Sequence, residues 1–237
     1  MATPAETVRP AGNPQPKRRG ACLHPIVFCD FDGTITQQDT LQALCERFLP
    51  ERADALLAGM ATGRLTLRAG LSELIGSLRS SDADEIVRFV CRQPLRAGFE
   101  TFLQHMRDRR IPVVVLSSGM RFCIEARLAP WRTLIHAIHA LDVDLGGTHM
   151  RARLDAADTP EALPKAEIMR DYPGHPKIAI GDSFSDQRMA LHADHVFARD
   201  RLLTYLRRRR TAALPYRDFH DIIRRFPVSP QPFEPVD

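Results

Sequence analysis

Four polar clusters stand out in this chain, because each combines residue types that can do chemistry and three of them directly follow an apolar run. The first is Asp30-Phe31-Asp32-Gly33-Thr34, after Ile26-Val27-Phe28-Cys29. Two carboxylates two residues apart, where an extended run becomes a loop, can both reach one pocket. Gly33 permits a tight turn and a close backbone approach to an anion. The second is Ser117-Ser118-Gly119, after the apolar run 111–116, with hydroxyl and backbone N–H donors. The third is Lys165, near the start of a helical pattern. The fourth is Gly181-Asp182-Ser183-Phe184-Ser185-Asp186, with two carboxylates four apart. Together they supply a nucleophilic carboxylate, a second carboxylate to shuttle a proton, an acid cluster for a hard cation, and donors for phosphate oxygens. Phosphoryl transfer needs those parts. Mg2+ suits a few carboxylates completed by water and substrate phosphate.

The elements that must position these residues follow from periodicity. Ile26-Val27-Phe28-Cys29, Ile111-Pro112-Val113-Val114-Val115-Leu116 and Lys177-Ile178-Ala179-Ile180 are short, mainly apolar runs that suit strands buried on both faces of a parallel sheet. Val196-Phe197-Ala198 makes a short fourth. Helical patterns separate them, including 99–106, 160–172, about 200–210 and 217–225. Gly146-Gly147 between alternating segments predicts a hairpin within 138–154. Strands alternating with helices predict an α/β fold, a doubly wound, mainly parallel sheet, with ligands bound beyond the strand C-termini. Asp30 and Ser117 are 87 residues apart, whereas a βαβ unit takes ~30. The surplus predicts an inserted helical cap. Asp82, with Glu85 three residues on, predicts an N-cap for its last helix. The expected organisation is a disordered leader over 1–24, a core domain over 25–38 and 94–226, a helical cap over 39–93, and a loose tail over 227–237.

Composition narrows the class. The chain has 237 residues, 44% hydrophobic and 26% charged, as in a globular protein with a sizeable core. It has neither the apolar stretch of a membrane span nor the h-region of a signal peptide. Five scattered cysteines without a CxxC pair predict reduced thiols and the cytoplasm. The net charge of +4 is carried by the two ends, most densely by the run Arg207 to Arg210. That run reads as a solvated helix face; a nucleic-acid contact is the weaker reading. Arg outnumbers Lys 30 to three, so Lys165 is conspicuous. Lys177 opens a strand at the end away from the strand C-termini and reads as structural.

Asp-Phe-Asp-Gly-Thr, a strand-end Ser, a Lys and Gly-Asp-Ser-x-x-Asp, in that order over about residues 25–226, resemble the haloacid dehalogenase (HAD) superfamily of phosphatases. The resemblance implies a Rossmann-like core and a Mg2+-dependent phosphatase acting on a small phosphorylated metabolite. It implies Asp30 as nucleophile and Asp32 as general acid and base. It implies Mg2+ held by the Asp30 and Asp182 carboxylates and the Asp32 carbonyl. Ser117 and Lys165 would bind phosphoryl oxygens with the backbone N–H groups of Gly33 and Ser118, and Asp186 would support the metal through water or orient Lys165. A helical cap between the first two motifs is similar to the C1-capped branch, which includes phosphoserine phosphatases. Phe-Cys-Asp-Phe-Asp-Gly-Thr-Ile-Thr, Phe-Ala-Arg-Asp-x-Leu-Leu and Leu-Pro-Tyr-Arg-Asp-Phe resemble its MtnX group, the 2-hydroxy-3-keto-5-methylthiopentenyl-1-phosphate phosphatases. Leu74 stands where phosphoserine phosphatases carry a carboxylate-pairing Arg. Arg64 and Arg68 are candidate anchors for an anionic or polyol substrate. The same motifs would serve a phosphotransferase or mutase, and a homodimer is left open.

Overall fold

The computed structural model describes residues 24–154 and 160–226. The expected leader, apart from His24, and the expected tail lie outside the described residues. The fold is built on a seven-stranded sheet of β1 (Ile26–Asp30), β2 (Val113–Met120), β3 (Ala137–Asp144), β4 (Arg151–Arg153), β5 (Lys177–Gly181), β6 (His195–Ala198) and β7 (Leu214–Pro215). Their order across the sheet is β4-β3-β2-β1-β5-β6-β7. Every neighbouring pair is parallel except β3 with β4. The α/β fold is therefore as the apolar runs predict.

β1 is buried over its whole length because helices cover both faces of the sheet. They follow in chain order: α1 (Thr40–Phe48), α2 (Pro50–Ala61), α3 (Leu67–Ser77), α4 (Ala83–Arg92), α5 (Phe99–Asp108), α6 (Arg121–Leu128), α7 (Lys165–Arg170), α8 (Gln187–Leu191), α9 (Asp200–Arg208) and α10 (Phe219–Arg225). Successive side chains of a strand point to opposite faces. Val27 and Cys29 thus pack with Phe102 of α5, Ile124 of α6 and Phe219 of α10. Ile26 and Phe28 pack with Met169 of α7 and Met189 of α8.

α1 to α4 form the insert between β1 and α5. Its entry and exit run side by side: Thr36 bridges Leu95, and the Gln37 N–H donates to the Pro94 carbonyl at 2.9 Å. A second seam joins the insert to the β3–β4 hairpin, where the Met150 N–H donates to Leu78 O and the Ser80 N–H to Thr148 O.

Several local expectations change. The helix expected over 160–172 is only α7, because Pro164 precedes its first residue and cannot donate a backbone bond. Lys165 is therefore the first residue of that helix. β2 begins at Val113, after Pro112, rather than at Ile111, and runs through Ser117 to Met120 rather than ending at Leu116. Asp82 precedes α4 but makes no side-chain cap; its carboxylate accepts from the Ser81 hydroxyl instead. The hairpin turns through 145–150, since Asp144 pairs with Arg151, so Gly146-Gly147 sits inside a longer loop. Lys177 opens β5, its N–H donating to Asp194 Oδ2, at the end of the sheet away from the four clusters. No helix among the described residues is long and apolar enough to cross a membrane.

Candidate active site

Because β1, β2 and β5 are parallel neighbours, their C-terminal ends open on one side. Asp30 is the last residue of β1, Ser117 lies in the last half of β2, and Asp182 follows β5. Lys165 reaches the same point from α7. Its ammonium donates to Asp30 Oδ1 at 2.5 Å and to Asp186 Oδ1 at 2.7 Å. Lys165 is 1% exposed and Asp186 0%, so this is a dry ion-pair cluster. The other Asp186 oxygen accepts from the N–H groups of Asp182 and Ser183, both at 3.0 Å. With both oxygens engaged, Asp186 orients Lys165 and the Asp182 backbone. Gly181 makes this possible: a Cβ there would come 2.6 Å from Asp186 Oδ2.

Asp32 has partners of its own. Its carboxylate accepts from Ser117 Oγ at 2.9 Å and from the Thr40 hydroxyl, and Ser117 Oγ accepts in turn from the Gly119 N–H. Asp182 accepts from Thr34 Oγ1 at 2.7 Å. The structure corrects the expectation for Gly33. Its N–H donates within the turn, to Thr36 Oγ1 and Gln38 O, and is not free for a phosphoryl oxygen. What Gly33 contributes is φ +77° and a missing side chain, since a Cβ would lie 2.5 Å from Asp182 Oδ2.

Four carboxylates thus crowd around one ammonium. Burial, then repulsion by Asp186, pushes the Asp30 carboxyl well above the usual range, against the pull of Lys165. Burial and Asp186 raise Asp182 to about 8, against the Thr34 hydroxyl. Burial and Asp39 raise Asp32 to about 7, against Ser117, Lys165 and Thr40. Burial alone would lower the Lys165 ammonium, but Asp186 and Asp30 more than offset it and hold it above the ordinary lysine range. Carboxylate oxygens of Asp30, Asp182 and Asp186 lie within 4.8 Å of one another. An oxygen-only donor set with uncompensated negative charge fits a hard divalent cation. Since both Asp186 oxygens are engaged, one by Lys165 and the other by two backbone N–H groups, Asp30 and Asp182 are the carboxylates that would hold it.

Beside Asp32 lies a narrow cleft that opens to solvent. Leu41, Leu44, Ile75 and Val90 of the insert and Met120 and Ile124 of the core line it, together with Ser118 and Asp32. Among the described residues no charged side chain other than Asp32 lines it. Leu74 is buried in the packing of the insert; its neighbour Ile75 is the one facing the cavity. Arg64 is exposed and donates to Thr62 Oγ1, and neither it nor Arg68 lines the cavity. Arg207 to Arg210 are exposed. Arg207 and Arg208 fall in the last turn of α9, where cations complement the helix dipole.

Sequence reasoning missed the hydroxyls of Thr34, Thr36 and Thr40, and Arg96, which holds the turn after Asp32. Thr34 and Thr36 sit inside or just past the first motif, and that proximity was the only available signal.

A haloacid dehalogenase-like hydrolase family model matches residues 27–191. A 2-hydroxy-3-keto-5-methylthiopentenyl-1-phosphate phosphatase of Microcystis aeruginosa is 36% identical over 202 residues, covering 84% of this chain and 96% of the relative. A protein of the same name from Bacillus mycoides is 30% identical, covering 83% of this chain and 93% of its own. Among solved structures, a substrate-bound phosphoserine phosphatase superposes with a TM-score of 0.67 at 16% identity, covering 85% of this chain and 97% of its own. A HAD-family hydrolase from Salmonella enterica serovar Typhi reaches 0.69 at 17% identity, covering 85% and 71%. These two structures share the fold with this chain.

Proposed function

Since the chain belongs to the haloacid dehalogenase-like hydrolase family, we propose that it is a Mg2+-dependent phosphatase that hydrolyses a small phosphomonoester through an aspartyl-phosphate on Asp30. The observation that carries this reading is the meeting of Asp30, Lys165 and Asp186 in one dry cluster, with Asp32 hydrogen-bonded beside it. Bound between Asp30 and Asp182, Mg2+ would neutralise carboxylate charge and polarise the phosphoryl group.

In the forward step an Asp30 oxygen attacks phosphorus while the bond to the leaving oxygen breaks. Asp32, held near neutrality by burial, gives its proton to the departing alkoxide. It then takes a proton from the water that attacks the acyl phosphate, which frees phosphate and restores the Asp30 carboxylate. Lys165 balances charge on the phosphoryl oxygens, and Asp186 fixes where its ammonium points. The insert over 39–93 serves as a cap over a core of 25–38 and 94–226 and excludes water from the reacting atoms.

The substrate reading is the methylthiopentenyl phosphate type that the curated relatives are named for. The cavity beside Asp32 supports it: its wall is aliphatic, which suits an apolar tail. A phosphoserine would bring an ammonium and a carboxylate into a cavity that no cation lines among the described residues. We place the enzyme in the cytoplasm, on the scattered cysteines, of which Cys29, Cys45, Cys91 and Cys123 are free thiols.

Purified protein with Mg2+ should release phosphate from p-nitrophenyl phosphate, and Asp30→Asn should not. Equal activity in the variant sinks the nucleophile. Products formed with an added alcohol separate hydrolysis from phosphoryl transfer: free phosphate alone supports the phosphatase, and a phosphorylated alcohol the transferase.

A further inference from the structure

We propose that Arg96 is a positioning residue for this site, a clamp that sets the turn after Asp32, and through it the Asp182 carboxylate, at the hinge of the helical insert; this rests on the phosphatase reading. Arg96 follows Pro94-Leu95 on the segment returning from the insert and is 8% exposed. Its Nε donates to Thr34 O at 2.8 Å. Its Nη2 lies 2.5 Å from Gly33 O, 3.1 Å from Thr36 O and 3.2 Å from Gln37 O. Its Nη1 reaches Arg217 O at 3.4 Å. Among the described residues no carboxylate pairs with it. A buried cation spent entirely on backbone carbonyls is expensive to desolvate, and here its donors converge on four of the five carbonyls between residues 33 and 37.

Those carbonyls belong to the residues that shape the site. Thr34 gives its carbonyl to Arg96 and its hydroxyl to Asp182. Gly33 gives its carbonyl to Arg96 while its Cα packs against the Asp182 carboxylate. The Arg96 N–H also donates to Ile35 O at 2.8 Å, and the Thr36–Leu95 bridge ties the two linkers of the insert beside it. One side chain thus joins the nucleophile loop, both linkers and the 214–225 segment. Only a planar, forked donor can reach carbonyls in these several directions; an ammonium is a single point.

The test compares the full-length protein with Arg96→Lys and Arg96→Gln, in steady-state hydrolysis of p-nitrophenyl phosphate and in amide hydrogen exchange read by mass spectrometry. A clamp predicts that kcat falls by at least ~10-fold while KM stays within ~3-fold, since misplacement of the reacting groups costs rate more than binding. It also predicts faster exchange confined to the peptide over 31–40, with β2 and α5 unchanged. Wild-type kcat with unchanged exchange in either variant overturns the proposal. So does exchange that rises uniformly across β1, β2 and α5, or failure of both variants to fold, because each makes Arg96 a general stabiliser. If the wild type itself hydrolyses no phosphomonoester, the phosphatase reading falls, and the exchange contrast still decides whether the clamp exists.

Discussion

Lys165 and Asp186 hold each other at 2.7 Å with both side chains closed to solvent, and Asp30 shares the same ammonium. The pair sets the charge balance where a phosphoryl group would sit. Lys165→Met should cost ~10²–10³ in kcat/KM, the range for losing one preorganised donor at a developing charge. Lys165→Arg should recover little, because a wider, planar fork does not fit a dry slot built for an ammonium. Asp186→Ala leaves that ammonium half-paired in a dry site, so it should cost ~3–5 kcal/mol of stability as well as activity. Thermal unfolding beside phosphate release checks both, and an Asp186→Ala protein as stable as wild type would contradict the assignment.

Asp32 faces a different demand, since it must be protonated to assist the leaving group and ionised to activate water. Burial and repulsion by Asp39 raise it to about 7. The first step needs the protonated form, so its rate should decline as pH climbs above that value. Asp32→Asn should abolish this alkaline limb and slow turnover by ~10²–10⁴. With p-nitrophenyl phosphate, whose leaving group needs little acid assistance, the block should fall on dephosphorylation. Intact-protein mass spectrometry should then find the variant carrying one phosphoryl group on Asp30. An unmodified variant that turns over at the wild-type rate would remove Asp32 from the mechanism.

The crowded carboxylates also predict a linked effect of pH and Mg2+ on stability. Asp30, Asp32 and Asp182 all have raised values in the folded chain, Asp32 to about 7 and Asp182 to about 8. A group raised on folding binds more protons when folded. Its contribution is full below the unfolded value of ~4 and is lost as pH rises through the folded value. The metal-free protein should therefore lose stability between pH ~4 and 8, the window set by those shifts. Mg2+ replaces the missing positive charge, so it should raise Tm more at pH 8 than at pH 5, by mass action on the folded state. Asp182→Asn should shrink that gain and weaken Mg2+ by at least ~10-fold. A Tm gain independent of pH would argue against a cation between Asp30 and Asp182.

What the sequence made legible follows from the range of each interaction. The apolar runs at 26–29, 111–116 and 177–180 identify buried strands by themselves, and the polar clusters behind them identify the sheet end that carries the site. Lys165 is conspicuous because the chain has so few lysines; Arg96 is hidden because arginine is everywhere. Its partners are backbone carbonyls, which leave no trace in side-chain chemistry. The Gly33 turn shows the complementary gap. Sequence tells that a Cβ is absent, but not that the N–H is already taken by Thr36 and Gln38. Thr40 is obscured differently: it is the first residue of a helix that Asp39 caps, and only folding brings its hydroxyl to Asp32.

The cavity turns substrate choice into a quantitative expectation. Leu41 is half-buried and lines it from α1, so trimming it should leave the fold intact. If an apolar tail packs there, Leu41→Ala should lower kcat/KM for a methylthio-tailed phosphomonoester by ~10-fold, the scale of losing a few methylene contacts. Activity toward phosphoserine should be low from the start and unchanged by the variant, because a zwitterionic tail gains nothing from that wall. Phosphate release measured across both substrates for both proteins gives four numbers, and the prediction lies in their ratio. If the variant loses equally on both substrates, Leu41 supports the site without touching the tail. If phosphoserine is the better substrate of the wild type, the apolar-tail reading fails and the carboxylate must find its cation outside this cavity.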